Sequence, residues 1–216
     1  MKFKELGIWG GVIAVLIGGL WILVSAVNNS PSPSAPAAIK IPDVSKDDFA
    51  IGTPSAKVTL IEYGDFQCPA CGAYYPFIKQ LEAEFNNNLR VVYRFFPLTN
   101  IHQNAMLAAQ VSYAAGLQNK FWEMHDILYE NQNSWSATNP KNIFIDYAKK
   151  LGLDLDKFKK DADADSTKEF MGKAANNAIS IGINSTPTFF VNGVHIPNPP
   201  DYQGFKRIIQ DEIEAH

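Results

Sequence analysis

Residues 57–71 have the sequence KVTLIEYGDFQCPAC, and this stretch decides the fold. Its first seven residues are rich in β-branched and aromatic side chains, a composition typical of a buried or half-buried strand. The proline at position 69 suits the first turn of a helix, and apolar residues then recur three and four positions apart up to residue 85. The pattern therefore predicts a strand that leads directly into two cysteines at the start of a helix.

The placement of Cys68 and Cys71 indicates redox chemistry. At a helix N-terminus, the dipole and the free N–H groups stabilise a thiolate on Cys68. Cys71 lies one turn later and can close a disulfide, buried below an exposed Cys68. Two other uses stay open. One is a purely stabilising disulfide, whose short loop contributes about 2 kcal/mol; the other is half of a zinc site, completed by acidic side chains or by His102, His125 or His195.

Glu62 is the third candidate for the chemistry, six residues ahead of Cys68. By strand alternation its side chain shares a face with Val58 and Leu60, which favours burial over the solvent face. A carboxyl group below the disulfide would couple to the titration of the thiols and assist proton movement at Cys71.

The remaining chain predicts an α/β domain. Residues 90–96 read as a second strand, so the first half is a βαβ unit with a parallel pair and a right-handed crossover. Helical periodicity follows near residues 101–116, 119–131, 140–151, 154–161 and 165–181. The chain ends with ββα: strands at 186–192 and 194–196, joined by a turn at Asn192-Gly193, and a helix at 202–215. A helical insertion therefore separates the two halves.

Other residues of the second half have weaker signals. Thr186-Pro187 opens the third strand, where a trans proline is unfavourable away from a sheet edge because it has no N–H to donate to the ladder. A cis bond would turn the Thr186 backbone outward, where it could pair with an extended substrate. From the residues alone, an ordinary trans proline remains the commoner case.

His102 and His125 are predicted to be surface or cap residues without a catalytic role. Helical spacing assigns four residues to the core: Phe121, Trp122, Met124 and Leu128.

Three separated segments together resemble one known family. They are residues 62–67 (EYGDFQ), residues 68–71 (CPAC) and residues 182–193 (GINSTPTFFVNG). In this order, with the helical insertion between them, they are similar to the DsbA-like branch of the thioredoxin superfamily over about residues 45–215. The resemblance implies a thioredoxin fold, a nucleophilic Cys68, a resolving Cys71, a buried acid at Glu62 and a cis peptide at Thr186-Pro187.

The dipeptide between the cysteines departs from the family's best-known member. It is Pro69-Ala70 here, where the enterobacterial oxidase has Pro-His. That oxidase has a thiol pKa of about 3.5 and a potential near −120 mV, against about 7 and −270 mV for thioredoxin. Because Pro-Ala lacks a histidine that can contribute to thiolate stability, we expect an intermediate potential.

Residues 1–27 are predicted to form an N-terminal transmembrane anchor. Lys2 and Lys4 precede the uncharged residues 7–27, a stretch long enough to span about 30 Å as a helix. The positive-inside rule keeps the lysines cytoplasmic and places the bulk of the chain outside. A cleaved export signal ending near residues 24–26 is the alternative. Either arrangement exports the rest of the chain.

Residues 28–38 (NNSPSPSAPAA) are predicted to form an extended spacer. Residues 39–216 are predicted to form the folded domain, with its insertion at about 98–185.

The formal net charge is −3, so the chain lacks the excess of basic residues typical of nucleic-acid-binding proteins. Two cysteines also cannot provide a dense disulfide framework. No cofactor or metal is indicated.

We therefore expect a monomeric, single-pass membrane protein whose extracytoplasmic domain introduces disulfides into exported proteins with free thiols. A membrane redox partner, DsbB-like or vitamin K epoxide reductase-like (VKOR-like), would reoxidise it. The first alternative is a reductase or isomerase of the same fold. The second is a tethered binding or chaperone module in which the CxxC motif is structural or metal-bound.

Overall fold

A five-stranded sheet organises the part of the chain that the computed structural model describes, residues 39–216. The spatial order of its strands is β1-β3-β2-β4-β5. β2 and β3 run parallel, and the other neighbouring pairs run antiparallel. The strands are β1 (Phe49–Ile51), β2 (Val58–Gly64), β3 (Leu89–Phe95), β4 (Thr188–Val191) and β5 (Val194–Ile196).

Helix α1 (Pro69–Phe85) connects β2 to β3, and a short 3-10 turn (Asn86–Asn88) precedes β3. The helical insertion between β3 and β4 comprises α2 (Ala105–Gly116), α3 (Phe121–Glu130), α4 (Gln132–Trp135), α5 (Lys141–Lys150), α6 (Leu155–Asp163) and α7 (Asp165–Ser180). Helix α8 (Tyr202–Ala215) follows β5. The βαβ and ββα halves form a thioredoxin-like α/β fold with a helical insertion, as the sequence predicted.

The central strand β2 is buried on both faces, which explains its nearly continuous apolar sequence. On one face, Val58 and Leu60 pack with residues of α1 and α8. On the other face, Ile61 and Tyr63 pack with residues of β4 and the segment before it. Glu62 alternates with these residues and falls on the face with Val58 and Leu60, so the fold places a carboxyl group inside the core below the start of α1.

Three details differ from the sequence prediction. The three-residue strand β1 was missed; the Phe49 ring on this strand stacks on Phe121, with ring centroids 3.8 Å apart. The first helix of the insertion begins at Ala105 rather than near residue 101, because turns occupy the preceding residues. The predicted helix at 119–131 ends at Glu130, and a separate single-turn helix, α4, follows it.

The predicted anchor and spacer, residues 1–38, lie outside the described residues. Among the helices of residues 39–216, none is both long enough and apolar enough to cross a membrane.

Candidate active site

Cys68 and Cys71 lie where a short loop joins β2 to α1. The loop turns at Asp65, whose carbonyl accepts a hydrogen bond of 3.0 Å from the N–H of Cys68. Cys68 is the N-cap of α1, in an extended conformation (φ −66°, ψ 120°), and Pro69 follows in the first turn. The missing N–H of Pro69 is not required there, because the first N–H groups of a helix have no intrahelical partner. Both cysteines are free thiols, and Cys71 is fully buried as expected. Cys68 is also largely buried, at 7% exposed, where the sequence predicted an exposed residue.

The surroundings of Cys68 stabilise negative charge on its sulfur. The hydrogen bond with the Cys71 side chain lowers the pKa of Cys68 most, and the N–H groups of Cys71 and Ala70 add to this effect. Partial burial opposes it, and the resulting pKa is about 5, against an ordinary value of 9.0. Cys68 is therefore a thiolate at neutral pH and can act as a nucleophile or as a stable leaving group.

Cys71 has the opposite character. Burial raises the pKa of Cys71 well above its ordinary value, and the hydrogen bond with Cys68 and the charge of Glu62 raise it further. At neutral pH Cys71 keeps its proton. The two sulfurs thus differ in both accessibility and charge, which is the asymmetry that stepwise thiol–disulfide exchange requires.

Glu62 lies beside this pair and is 2% exposed. Burial is the main cause that raises its pKa, the charge of Cys68 adds to this, and a hydrogen bond with Cys71 opposes it, so that the pKa is about 8. Among the described residues, its Oε1 atom is buried without a hydrogen-bond partner. A neutral carboxyl group next to a high-pKa thiol can hold the proton that Cys71 gains or loses during reaction.

Two buried tyrosines, Tyr93 and Tyr129, lie in the same hydrophobic core as Cys71. Tyr93 is the β3 neighbour of Glu62 in the parallel ladder, and its hydroxyl lies 3.2 Å from that of Tyr129. Burial raises the pKa of both tyrosines well above the ordinary value, and the charges of Glu62 and Cys71 contribute. Both hydroxyls therefore stay protonated around the site.

The prediction that His125 is a surface or cap residue is wrong. The residue is 3% exposed, and its ring packs among aromatic rings that include Phe66 and Tyr93. Burial lowers its pKa, so the imidazole is neutral, and Nδ1 lies 2.9 Å from a carboxylate oxygen of Asp126. The helical spacing that assigned Met124 and Leu128 to the core includes His125 as well, and this was the available signal.

The peptide bond between Thr186 and Pro187 is cis, as the family resemblance implied. The carbonyl oxygen of Thr186 lies 3.4 Å from Sγ of Cys68. Pro69 and Ala70, which follow Cys68 in the chain, are exposed. The structure therefore brings the Thr186-Pro187 segment, which is 118 positions from Cys68 in the sequence, next to the Cys68-Cys71 motif and Glu62.

Asp65 and His102 form a contact that the sequence analysis missed. Asp65 is 1% exposed, and its carboxylate accepts hydrogen bonds from the N–H groups of Gln67 (2.8 Å) and Leu98 (2.9 Å). Nδ1 of His102 lies 2.7 Å from the same carboxylate. His102 is thus not a free surface or cap residue, since it helps to fix the loop before Cys68 to the segment after β3.

The zinc interpretation of the cysteines finds little support in this geometry. Within residues 39–216, no three histidine, cysteine or acidic side chains are grouped so that they could hold a metal ion. His102 is bound to Asp65, and His125 is buried beside Asp126. His195 lies on β5, exposed to solvent.

Comparisons with known proteins agree with this fold. A family model described as thioredoxin matches residues 44–211. Among curated proteins, the chain is 40% identical over 146 residues to a Na(+)/H(+) antiporter NhaA 1 of Salinispora arenicola, and 35% identical over 208 residues to one of Mycolicibacterium gilvum. These matches cover 68% and 93% of this chain but only 22% and 33% of the relatives. The chain thus spans about a fifth to a third of the length of these relatives.

Solved structures with the same architecture have low sequence identity. Oxidised BdbD from Bacillus subtilis has a TM-score of 0.67 at 24% identity, with 76% of this chain and 92% of that chain covered. Alpha-DsbA1 from Wolbachia pipientis has a TM-score of 0.70 at 21% identity, with 80% and 94% covered. At these identities the likeness is one of fold.

Proposed function

We propose that this chain, which belongs to the thioredoxin family, is a thiol:disulfide oxidoreductase. It would oxidise protein thiols through Cys68 and Cys71. The observation that carries this proposal is the asymmetry of the two sulfurs at the start of α1. Cys68 has its pKa lowered to about 5, whereas burial raises the pKa of Cys71. A purely structural disulfide needs no such difference.

The oxidation would proceed in two exchanges. A substrate thiolate attacks Sγ of Cys68 in the oxidised protein, and a mixed disulfide forms as the Cys68–Cys71 bond breaks. The bonding electron pair moves to Cys71, which takes a proton from the neutral carboxyl group of Glu62. A second substrate thiolate then attacks the substrate sulfur of the mixed disulfide and releases Cys68 as a thiolate. Two electrons thus pass from the substrate dithiol to the protein, and a disulfide forms in the substrate.

The state of Cys68 favours the oxidising direction. A stable thiolate lowers the free energy of the reduced protein and therefore raises its reduction potential. The pKa of about 5 lies between the values of about 3.5 for DsbA and about 7 for thioredoxin. This supports the intermediate potential expected from Pro69-Ala70. A reductase or isomerase would use the same residues, and the potential of the pair distinguishes these functions from an oxidase.

The surface around Cys68 suits an extended polypeptide substrate. The Thr186 carbonyl beside Sγ can accept a hydrogen bond from a substrate main chain, as in strand addition. Pro69 and Ala70 are exposed without charge next to the same sulfur. We assign the Thr186-Pro187 segment to substrate binding and the two intervening residues to the surface that surrounds the nucleophile.

We also propose a location and partners for the protein, starting from the sequence of the N-terminal region. The uncharged residues 7–27 and the lysines before them support a single-pass anchor with the domain outside the cytoplasm. The substrates would then be exported proteins with free thiols. A DsbB-like or VKOR-like membrane protein would accept electrons from reduced Cys68 and Cys71 and regenerate the disulfide.

The pH dependence of Cys68 alkylation tests this function. We expect the reduced protein to react with iodoacetamide at Cys68 with a midpoint near pH 5, because only the thiolate reacts and the pKa of Cys68 is about 5. Mass spectrometry of peptides quenched at each pH measures the rate. Cys71 should stay unmodified in the same samples, since it is buried and protonated.

The Cys68→Ser variant is the control, in which the fast reaction should vanish. A midpoint near 9.0, the ordinary value for a cysteine, would contradict the proposal and favour the binding or chaperone alternative.

A further inference from the structure

The loop before Cys68 is held from the side by an amide of the helical insertion. Nε2 of Gln132, the first residue of α4, donates hydrogen bonds to the carbonyls of Phe66 (2.7 Å) and Cys68 (2.9 Å). The Cys68 carbonyl also accepts the N–H of Gly72, at 3.1 Å. A side chain far along the sequence thus binds the main chain of the nucleophile itself.

Two more amides connect the same loop to the insertion. Oε1 of Gln67 accepts the N–H of Asn104 at 2.6 Å, and its Nε2 donates to the Ser136 carbonyl at 2.8 Å. Nδ2 of Asn104 donates to the carbonyls of Ser136 (3.1 Å) and Thr138 (3.0 Å). We call Gln67, Asn104 and Gln132 the amide clamp.

The base of the clamp is rigid. Trp135 at the end of α4 is fully buried, and its ring N–H donates to the Leu128 carbonyl at 2.8 Å. On the other side, a Cβ added to Gly72 would lie 2.6 Å from Oε1 of Gln132, so the glutamine side chain would have to shift to accept it. Gln132 therefore packs closely between the insertion and the first turn of α1.

The orientation of one peptide unit links the clamp to the chemistry. The Cys68 carbonyl belongs to the peptide between Cys68 and Pro69, which has no N–H, so only its oxygen can be held by hydrogen bonds. Fixing that oxygen fixes ψ of Cys68 at 120°. This torsion decides whether Sγ lies within reach of the N–H groups of Ala70 and Cys71, which stabilise the thiolate.

We propose that Gln132 is a positioning residue for the redox reaction. By binding the Cys68 carbonyl, it holds the nucleophilic sulfur over the free N–H groups of α1. The helical insertion thereby controls the oxidising strength of the cysteine pair. The inference rests on the proposed function, in which Cys68 is the nucleophile. It adds a role for α4, an element that the redox motif does not include.

The test uses two variants, Gln132→Met and Gln132→Glu. Methionine keeps the length of the side chain and removes its hydrogen-bond donors.

The matched control is Gln118→Met. Gln118 also makes two hydrogen bonds, with the carbonyl and the N–H of Asp154 (3.2 and 3.0 Å), but these connect the end of α2 to the start of α6, away from the cysteines. The reduced full-length proteins are alkylated with iodoacetamide across pH, and each is equilibrated with glutathione.

For Gln132→Met we expect the alkylation midpoint of Cys68 to rise by about one pH unit, which makes the reaction about tenfold slower below the midpoint. The Gln132→Glu variant should show a larger rise, because a carboxylate cannot donate to the two carbonyls and repels the thiolate. Both variants should retain the disulfide more strongly against glutathione. Gln118→Met should keep the midpoint of the unmodified protein.

An unchanged midpoint in a folded Gln132→Met or Gln132→Glu protein would overturn the positioning role and leave the proposed function intact. An equal shift in Gln118→Met would overturn it as well, since general loosening would then explain the effect. If Gln132→Met does not fold, Gln67→Met loosens the same clamp and should raise the midpoint. If the unmodified protein lacks the low-pH reaction, the proposed function fails, and this inference fails with it.

Discussion

Replacing Cys68 by serine reduces thiol–disulfide exchange to the uncatalysed background. A hydroxyl group is neither ionised near neutral pH nor able to form a disulfide, and Cys71 is fully buried and protonated, so it cannot substitute as the nucleophile. The measurement is the oxidation of a reduced, unfolded protein substrate by the variant, followed by counting substrate thiols over time.

The matched variant is Cys71→Ala, which leaves Cys68 in place. When mixed with a disulfide-containing protein it should accumulate a mixed disulfide at Cys68, because the intramolecular thiol that would resolve the adduct is gone. Non-reducing electrophoresis shows the adduct directly. Substrate oxidation at the normal rate in Cys68→Ser would remove the basis of the proposed mechanism.

Replacing Glu62 by glutamine should slow the exchange by about a hundredfold, at the lower end of general acid–base effects. Glutamine preserves the shape of the side chain but carries no transferable proton, so Cys71 loses its proton donor as it leaves and its base when it attacks. The readout is the rate at which the oxidised protein reacts with reduced glutathione, measured across pH with the thiolate concentration held constant.

The pH dependence distinguishes proton transfer from a packing defect. In the oxidised protein burial still raises the pKa of Glu62, so the proton-donor contribution is present below that raised pKa and is lost as the pH rises through it. Glu62→Gln should lack this step. Glu84→Gln is a suitable control, because Glu84 lies on the outer surface of α1 and pairs with Lys206. A Glu62→Gln protein with the same rate and the same pH profile would exclude a role for this carboxyl group in proton transfer.

Much of the fold follows from local pattern. The predicted helix at residues 69–85 and the final helix at 202–215 have the bounds found in the structure, because their apolar spacing and their flanking proline and turn residues are unambiguous. The burial of Glu62 could also be predicted from strand alternation. These are properties of contiguous sequence.

The contacts that complete the site depend on tertiary structure. Gln132 and Cys68 are 64 positions apart, and the glutamine lies in a polar segment that resembles any exposed turn. Asp65 likewise gains Leu98 and His102 as partners only when the segment after β3 folds over it. Strand β1 was missed because three residues give no usable period, and its pairing with β3 supplies the ordering contacts.

The reduction potential of the Cys68-Cys71 pair tests the central claim most directly. The purified protein is equilibrated with defined mixtures of reduced and oxidised glutathione, and the ratio of thiol to disulfide is read by trapping the free thiols. The low pKa of Cys68 predicts a potential above about −180 mV, in the range of protein-oxidising members of the superfamily. A value near −270 mV, as for thioredoxin, would contradict an oxidase and favour a reductase. Failure to equilibrate with glutathione would contradict redox function altogether.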